Sequence, residues 1–260
     1  MVPMRRLGFL LLLAAAAGPS PAAVLRTATT HPMKYHLSLP EGWAQGRTWP
    51  VAVIVPDATR DFEGNLAAFE KARRSLPFIL VAPHVLTSGG ANYRLADSYR
   101  YSEADWRRVA ADGEFRFDDD GIAAVLADVR KEFGGETQFF LTGWEAGGHT
   151  VWAYAFRHPD RLRAAALVSP NWRGRWVAEP DWSRSPARAA LPVKVLFCDR
   201  SKTEVPAGWD AWFGQSKEAM AAAQAHGFAS LSLENLPGRA HGPLAGDVLA
   251  FFESVRTRKP

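Results

Sequence analysis

The apolar residues of this chain fall into short runs separated by longer amphipathic segments. Residues 51–55 form an unbroken apolar run, Val-Ala-Val-Ile-Val, which ends at Pro56. Unbroken runs of this kind are typical of strands covered on both faces, as in a parallel sheet. Residues 33–39 instead alternate between polar and apolar, which predicts an outer strand. Further strands are predicted at residues 78–82, 138–141, 164–168, 193–197 and 231–236.

Helical spacing of apolar residues appears between these runs. We predict helices at residues 65–74, 118–133, 149–157, 209–226 and 244–255. The helix over 118–133 begins with three acidic residues, which suit the positive end of a helix dipole, and Gly134 ends it. Residues 83–113 are predicted to be a polar stretch that winds over the rim of the functional site. Strands and helices alternate to the end of the chain, so the pattern predicts an α/β protein with a doubly wound, mostly parallel sheet.

The N-terminus has the pattern of a secretory signal peptide. Arg5 and Arg6 precede an apolar stretch at residues 7–17, and small residues at 20–23 offer a cleavage site. The stretch is shorter than the roughly 20 residues that span a bilayer. We therefore expect residues 1–23 to be a signal peptide, residues 24–260 to form one domain, and no stable membrane span after cleavage. The expected location is secreted or periplasmic.

Charge and ligand spacing argue against several kinds of partner. The net charge of +4 falls to +2 once Arg5 and Arg6 are removed (4 minus 2), which is too small to favour nucleic acid. The seven histidines show no close pair at the usual metal-ligand spacings, so we expect no metal and no cofactor. Cys198 is the only cysteine and cannot form an internal disulfide. The oligomeric state is left open.

One segment combines the features of a catalytic turn. Residues 143–148 read Gly-Trp-Glu-Ala-Gly-Gly and lie between a predicted strand and a predicted helix. Small residues allow a strand to reverse sharply into a helix, and the residue at the tip is then exposed. Serine hydrolases carry their nucleophilic serine at such a tip. In this chain the tip residue is Glu145.

Three stretches together carry a family resemblance: residues 51–58, residues 118–170 with the turn at Glu145, and the sequence Gly-Arg-Ala-His-Gly at 238–242. They resemble the α/β-hydrolase superfamily, and within it secreted esterases related to polyhydroxybutyrate depolymerases and to feruloyl or acetylxylan esterases. The likeness spans most of the chain after residue 23. It implies a sheet of α/β-hydrolase type with the site at the carboxyl ends of its strands.

The resemblance also implies roles for particular residues. His241 occupies the position of the catalytic histidine, which takes the proton of the nucleophile in a serine hydrolase. The acid that orients this histidine follows the strand at 193–197, so Asp199 and Glu204 are both candidates.

The oxyanion hole that the resemblance implies is altered. Its donors would be the backbone amides of Ala58 and Ala146, but the His-Gly of the family is replaced by Pro56-Asp57. Proline has no N–H to donate. A carboxylate at Asp57 repels the negative charge that the hole stabilises, unless its side chain points away.

Tryptophans are numerous near the expected site. Trp144 lies in the turn, and Trp172, Trp176 and Trp182 lie in a loop above the carboxyl ends of the strands, where ligands bind in open α/β sheets. Two roles fit these side chains: stacking on a sugar or aromatic ring, or packing within their own loop. We take Trp144, Trp172 and Trp176 as candidates for substrate binding.

Three functional hypotheses follow from the replaced serine. The first is a protein with little or no catalysis that binds a small molecule, a glycan or a protein partner. The second is a hydrolase in which Glu145 attacks a saturated carbon, or acts with His241 to activate water. The third is an ester hydrolase with its nucleophile elsewhere, although no other serine has the context of such a turn. We favour the first, because a carboxylate beside His241 favours imidazolium, which cannot act as a base.

Overall fold

One sheet of eight strands organises the chain. The computed structural model describes residues 23–88, 98–172 and 178–258, and the predicted signal peptide, apart from residue 23, lies outside them. The strand order is β1-β2-β4-β3-β5-β6-β7-β8, with β2 antiparallel to both of its neighbours and all other pairs parallel. The strands are β1 (Val24–Thr27), β2 (Lys34–Ser38), β3 (Val51–Val55), β4 (Ile79–Pro83), β5 (Phe139–Trp144), β6 (Leu162–Val168), β7 (Val193–Cys198) and β8 (Leu231–Leu236).

Helices connect the parallel strands, as the sequence pattern predicts. They are α1 (Phe62–Arg73), α2 (Glu103–Asp112), α3 (Glu114–Phe133), α4 (Gly147–Arg157), α5 (Ala187–Ala190), α6 (Ser201–Glu204), α7 (Pro206–Ala225) and α8 (Ala245–Thr257). Within the described ranges, no helix is long and apolar enough to cross a membrane. The predicted α/β fold with a mostly parallel sheet is confirmed.

Alternate residues of the central strands enter two separate cores. Val51, Val53 and Val55 of β3 pack with side chains of α3 and α4 on one face of the sheet. Ala52 and Ile54 of the same strand pack with α1 and α8 on the other face. Both faces are therefore covered, which explains why β3 reads as an unbroken apolar run rather than an alternating one.

The sequence pattern predicted a polar stretch without a helix at residues 83–113, but this stretch contains α2. Ser102 begins this helix: its hydroxyl accepts a hydrogen bond from the Asp105 amide, and the Asp105 carboxylate accepts one from the Ser102 amide. This reciprocal capping satisfies two backbone donors that the first turn otherwise leaves free. The short elements β1, α5 and α6 also lie where the sequence pattern predicted no element.

The predicted start of α3 was also wrong. The helix begins at Glu114, after Gly113 turns the chain with φ 85°, so Asp118 lies in its second turn. Asp118 is fully buried and accepts hydrogen bonds from the Leu86 amide at 3.0 Å and the Thr87 amide at 2.8 Å. Burial raises the pKa of this carboxyl to about 7. Its role is to anchor the chain that follows β4, rather than to complement a helix dipole.

Candidate active site

A strained turn joins β5 to α4 at the carboxyl ends of the strands. Glu145 at its tip has φ 44°, in the left-handed region that non-glycine residues rarely adopt. Such strain, about 1–3 kcal/mol per residue, is concentrated at functional sites. The turn also demands glycine at position 147, because a Cβ there would lie 2.5 Å from the Pro56 carbonyl oxygen. The strand-turn-helix geometry expected at Glu145 is therefore present.

Glu145 and His241 are hydrogen bonded through their side chains, although they lie 96 positions apart. The contact joins Oε1 of Glu145 to Nε2 of His241. In a serine hydrolase, Nε2 is the nitrogen that takes the proton of the nucleophile. Here that nitrogen is already engaged by the residue at the nucleophile position.

Two indole rings hold the imidazole of His241 in place. Trp212 of α7 stacks face to face on it, with ring centroids 5.1 Å apart and an interplanar angle of 8°. Trp144 approaches the imidazole at 5.2 Å and 60°, and its own Nε1 donates to Asn65 Oδ1 at 2.9 Å. The histidine is thus fixed by a carboxylate and two aromatic side chains.

The two candidate acids follow β7, Asp199 directly and Glu204 at the end of α6, and they differ in their contacts. Glu204 accepts a hydrogen bond from the backbone amide of His241 at 3.3 Å, and it forms an ion pair with Arg200 at 2.6 Å. Asp199 has one buried carboxylate oxygen, Oδ1, to which no described residue donates a hydrogen bond. Glu204 therefore contacts the main chain of the histidine, and which acid serves its ring stays a prediction.

The oxyanion side of the site is negatively charged. Ala58 lies in the turn after β3, and Ala146 directly precedes α4. Asp57 directly precedes Ala58. It is 5% exposed and accepts hydrogen bonds from Thr59 Oγ1 at 2.6 Å and Thr59 N at 3.3 Å. Burial raises the pKa of Asp57, and the negative charge of Glu145 adds to the rise. The Pro56 carbonyl lies against Gly147, so Asp57 directly follows a residue that contacts the turn at residues 143–148, which we call the elbow.

The structure separates the tryptophans of the loop after β6. Trp172 is half-buried against the core, and its amide donates to Gln215 Oε1 at 2.6 Å. Trp182 is 6% exposed and stacks on Phe156 with centroids 3.9 Å apart, so it packs within the protein rather than facing a ligand. Trp176 lies outside the described residues. Trp212, which the sequence analysis did not select, contacts His241 instead.

Comparison with known proteins shows the family of this chain. The model of a family described as "Putative esterase" matches residues 27–231. A pimeloyl-[acyl-carrier protein] methyl ester esterase from Chromobacterium violaceum is 33% identical over 84 residues. That match covers 32% of this chain and 30% of the relative, so the chain spans about a third of the length of this curated relative.

Solved structures share the fold at low sequence identity. A ferulic acid esterase from Anaeromyces mucronatus superposes with a TM-score of 0.61 at 12% identity, covering 92% of this chain and 91% of that one. Poly(aspartic acid) hydrolase-1 from Sphingomonas sp. KT-1 gives a TM-score of 0.59 at 18% identity, covering 89% and 96%. With the family match over most of its length, the chain belongs to the esterase family and has the α/β-hydrolase fold.

Proposed function

We propose that this is an exported member of the esterase family that lacks serine-hydrolase activity and binds a small molecule, a glycan or a protein partner in its site. The observation that carries the proposal is the hydrogen bond between Glu145 at the tip of the elbow and Nε2 of His241. The tip offers no hydroxyl to attack an ester, and the nitrogen that would accept the proton is engaged. Export rests on the basic and apolar pattern of residues 1–23.

A carboxylate does not replace the missing serine in ester hydrolysis. Attack by Glu145 on an ester carbonyl would form an acid anhydride, whereas carboxylate nucleophiles suit saturated carbon centres. Asp57 also carries a buried carboxylate directly after Pro56, whose carbonyl lies against Gly147 of the elbow, and an esterase stabilises a developing oxyanion on this side of its site. Nucleophile, base and oxyanion hole are therefore all altered in the direction that opposes ester cleavage.

Ligand binding is supported by what the site keeps. The elbow and the loop at residues 238–242, which carries His241 and which we call the histidine loop, still meet at the carboxyl ends of the strands. Open α/β sheets bind ligands at this edge. Trp144 and Trp212 border this position, and indole rings provide large, rigid contact surfaces for sugars and aromatic groups. These walls do not depend on a nucleophile.

The native chain should hydrolyse p-nitrophenyl acetate and butyrate no faster than buffer, because the tip of the elbow carries a carboxylate in place of a hydroxyl. A fluorophosphonate probe, which labels activated serines, should leave the protein unmodified by mass spectrometry. The variants Glu145→Ala and His241→Ala serve as matched controls and should give the same background rate. Turnover that disappears in Glu145→Ala would establish carboxylate catalysis, and stoichiometric labelling of a serine would establish a relocated nucleophile; either result overturns the proposal.

Methyl ferulate is a suitable first ligand, because one structural relative is named as a ferulic acid esterase. We expect it to bind without being cleaved, and Trp212→Ala should weaken the binding at least about fivefold through the loss of ring contact. Trp43→Phe is the matched control, since Trp43 packs on Phe133 at the far end of α3. Isothermal titration calorimetry gives the dissociation constant of methyl ferulate for the parent and for both variants. Equal affinity in both variants would remove Trp212 from the binding surface.

A further inference from the structure

Two buried histidines lie at the ends of a continuous row of aromatic rings outside the candidate active site. We call this row the aromatic cluster; from one end to the other it consists of His31, Phe117, Tyr101, Tyr99, Phe62 and His84. Successive ring centroids are 4.4, 5.2, 5.9, 6.3 and 4.1 Å apart. The row joins the turn before β2, the start of α3, the chain before α2, the start of α1 and the end of β4.

His84 is built into this cluster as a neutral ring. It is 4% exposed and stacks on Phe62 at an interplanar angle of 12°. Its Nδ1 lies 3.4 Å from the Ser98 carbonyl oxygen, a contact that raises the pKa of the ring, whereas its buried Nε2 has no hydrogen-bond partner among the described residues. A proton added to the ring would place a positive charge in this position with an N–H that no described acceptor satisfies.

The charged groups around His84 act against its protonation as well. His36 on β2 lies 5.2 Å away between ring centroids, and both His36 and Lys34 oppose a further positive charge. Burial is the largest effect, and it lowers the pKa of His84 to about 4.

His31, at the other end of the row, is held in one protonation state by a backbone contact. It is 6% exposed, and its Nδ1 accepts a hydrogen bond from the Met33 amide at 3.2 Å. Its Nε2 is buried and has no hydrogen-bond partner in the part of the chain that the structure describes. Protonation would set two N–H groups against each other at Nδ1, so the contact with Met33 would be lost.

The charges that face His31 come from α2 and α3. Arg108 opposes a positive ring, while Asp120 and Asp105 favour one. Burial outweighs the two carboxylates and lowers the pKa of His31 to about 4.

We propose that His31 and His84 form an acid-sensitive latch, which holds the aromatic cluster closed while both rings are neutral and releases residues 98–117 when they are protonated. The latch borders the candidate site, because Phe62 is the first residue of α1 and directly follows the loop that carries Asp57. The proposal does not rest on the proposed function: a catalytic and a non-catalytic site would be affected alike.

The sign of the pH effect follows from linkage. A histidine whose folded pKa lies below its unfolded value binds protons more readily in the unfolded chain, so stability is full above pH 6.5 and is lost as the pH falls toward 4. Between pH 7.5 and 5.0 each histidine should lower the ratio of folded to unfolded protein at least about tenfold. Asp118 contributes with the opposite sign, because its pKa is raised to about 7. The comparison of histidine variants with the parent cancels that contribution.

The test is urea unfolding of the full chain and its variants at pH 7.5 and 5.0. His84→Phe keeps a ring on Phe62 and removes the titrating nitrogens. Between pH 7.5 and 5.0, the factor by which its ratio of folded to unfolded protein falls should therefore be at least about tenfold smaller than the factor for the parent. His226→Phe, on the distant C-terminus of α7, is the matched control and should retain the parent's loss. Equal losses in the parent and in His84→Phe would overturn the latch.

Hydrogen exchange distinguishes release of the segment from general unfolding. At pH 5.0, after correction for the intrinsic exchange rate, amides of residues 98–117 should lose protection while those of β5 and β6 keep it. His31→Phe and His84→Phe should each preserve part of the protection at residues 98–117. Because each single variant is tested separately, the result does not depend on both variants folding. Uniform loss over the whole sheet, or no loss at residues 98–117, would contradict the proposal.

Discussion

Glu145→Ser should by itself give only a weak esterase, and adding Asp57→Asn should raise kcat/KM for p-nitrophenyl acetate at least about tenfold. The serine supplies a hydroxyl and releases Nε2 of His241 from its carboxylate partner. Asp57 would still be buried directly after Pro56, whose carbonyl lies against the elbow. Like charges about 4 Å apart repel by about 4 kcal/mol at an effective dielectric constant of about 20, and about a third of that energy corresponds to tenfold in rate.

Asparagine at position 57 removes the charge but retains an oxygen that can accept the hydrogen bonds from Thr59. Glu145→Ser/Asp61→Asn is the matched control, because Asp61 is an exposed carboxylate four positions after Asp57 that caps α1, and asparagine caps a helix equally well. This control should be no faster than Glu145→Ser alone. If Glu145→Ser already equals Glu145→Ser/Asp57→Asn, the charge of Asp57 does not limit catalysis and the missing hydroxyl alone accounts for the lost activity.

The fold could be predicted where burial is uniform along an element. All five residues of β3 are buried, and the apolar run at residues 51–55 gives its bounds correctly. The start of α3 could not be predicted in this way, because three acidic residues resemble a helix N-terminus whether or not one of them is buried. Asp118 is buried because the amides of Leu86 and Thr87 point at it, and that contact joins segments more than 30 positions apart.

The site divides along the same line. Glu145 and His241 could be predicted because each lies in a local pattern, a glycine-rich turn and a glycine-flanked loop, whose position on the fold is fixed by the strand before it. Trp212 lies in the middle of a long helix, and nothing local distinguishes it from Trp209, which packs on Phe197. Its contact with His241 depends on how α7 is placed against the histidine loop. The same holds for Trp182, whose burial against Phe156 no loop composition reveals.

Arg73 should be among the most sensitive positions for stability, because its buried guanidinium donates hydrogen bonds to three backbone carbonyl groups at once. It is 4% exposed and donates to the carbonyl oxygens of Ser38 and Phe78 at 3.1 Å and of Leu39 at 2.7 Å. Burial lowers the pKa of this side chain, because it removes the water that stabilises a charge. The three carbonyl groups stabilise the charge in place of that water.

Arg73→Met should therefore lower the free energy of unfolding by about 3–5 kcal/mol, measured by urea denaturation at pH 7.5, since a hydrogen bond to a charged group contributes about 1.5–3 kcal/mol. Methionine fills much of the same volume, so the loss reports on hydrogen bonds more than on a cavity. The adjacent Arg74 is exposed, and Arg74→Ala should change stability by no more than about 0.5 kcal/mol. If Arg73→Met changes the free energy of unfolding as little as Arg74→Ala, the loop that joins β2 to β3 is held by its apolar contacts, and the hydrogen bonds of the guanidinium do not stabilise it.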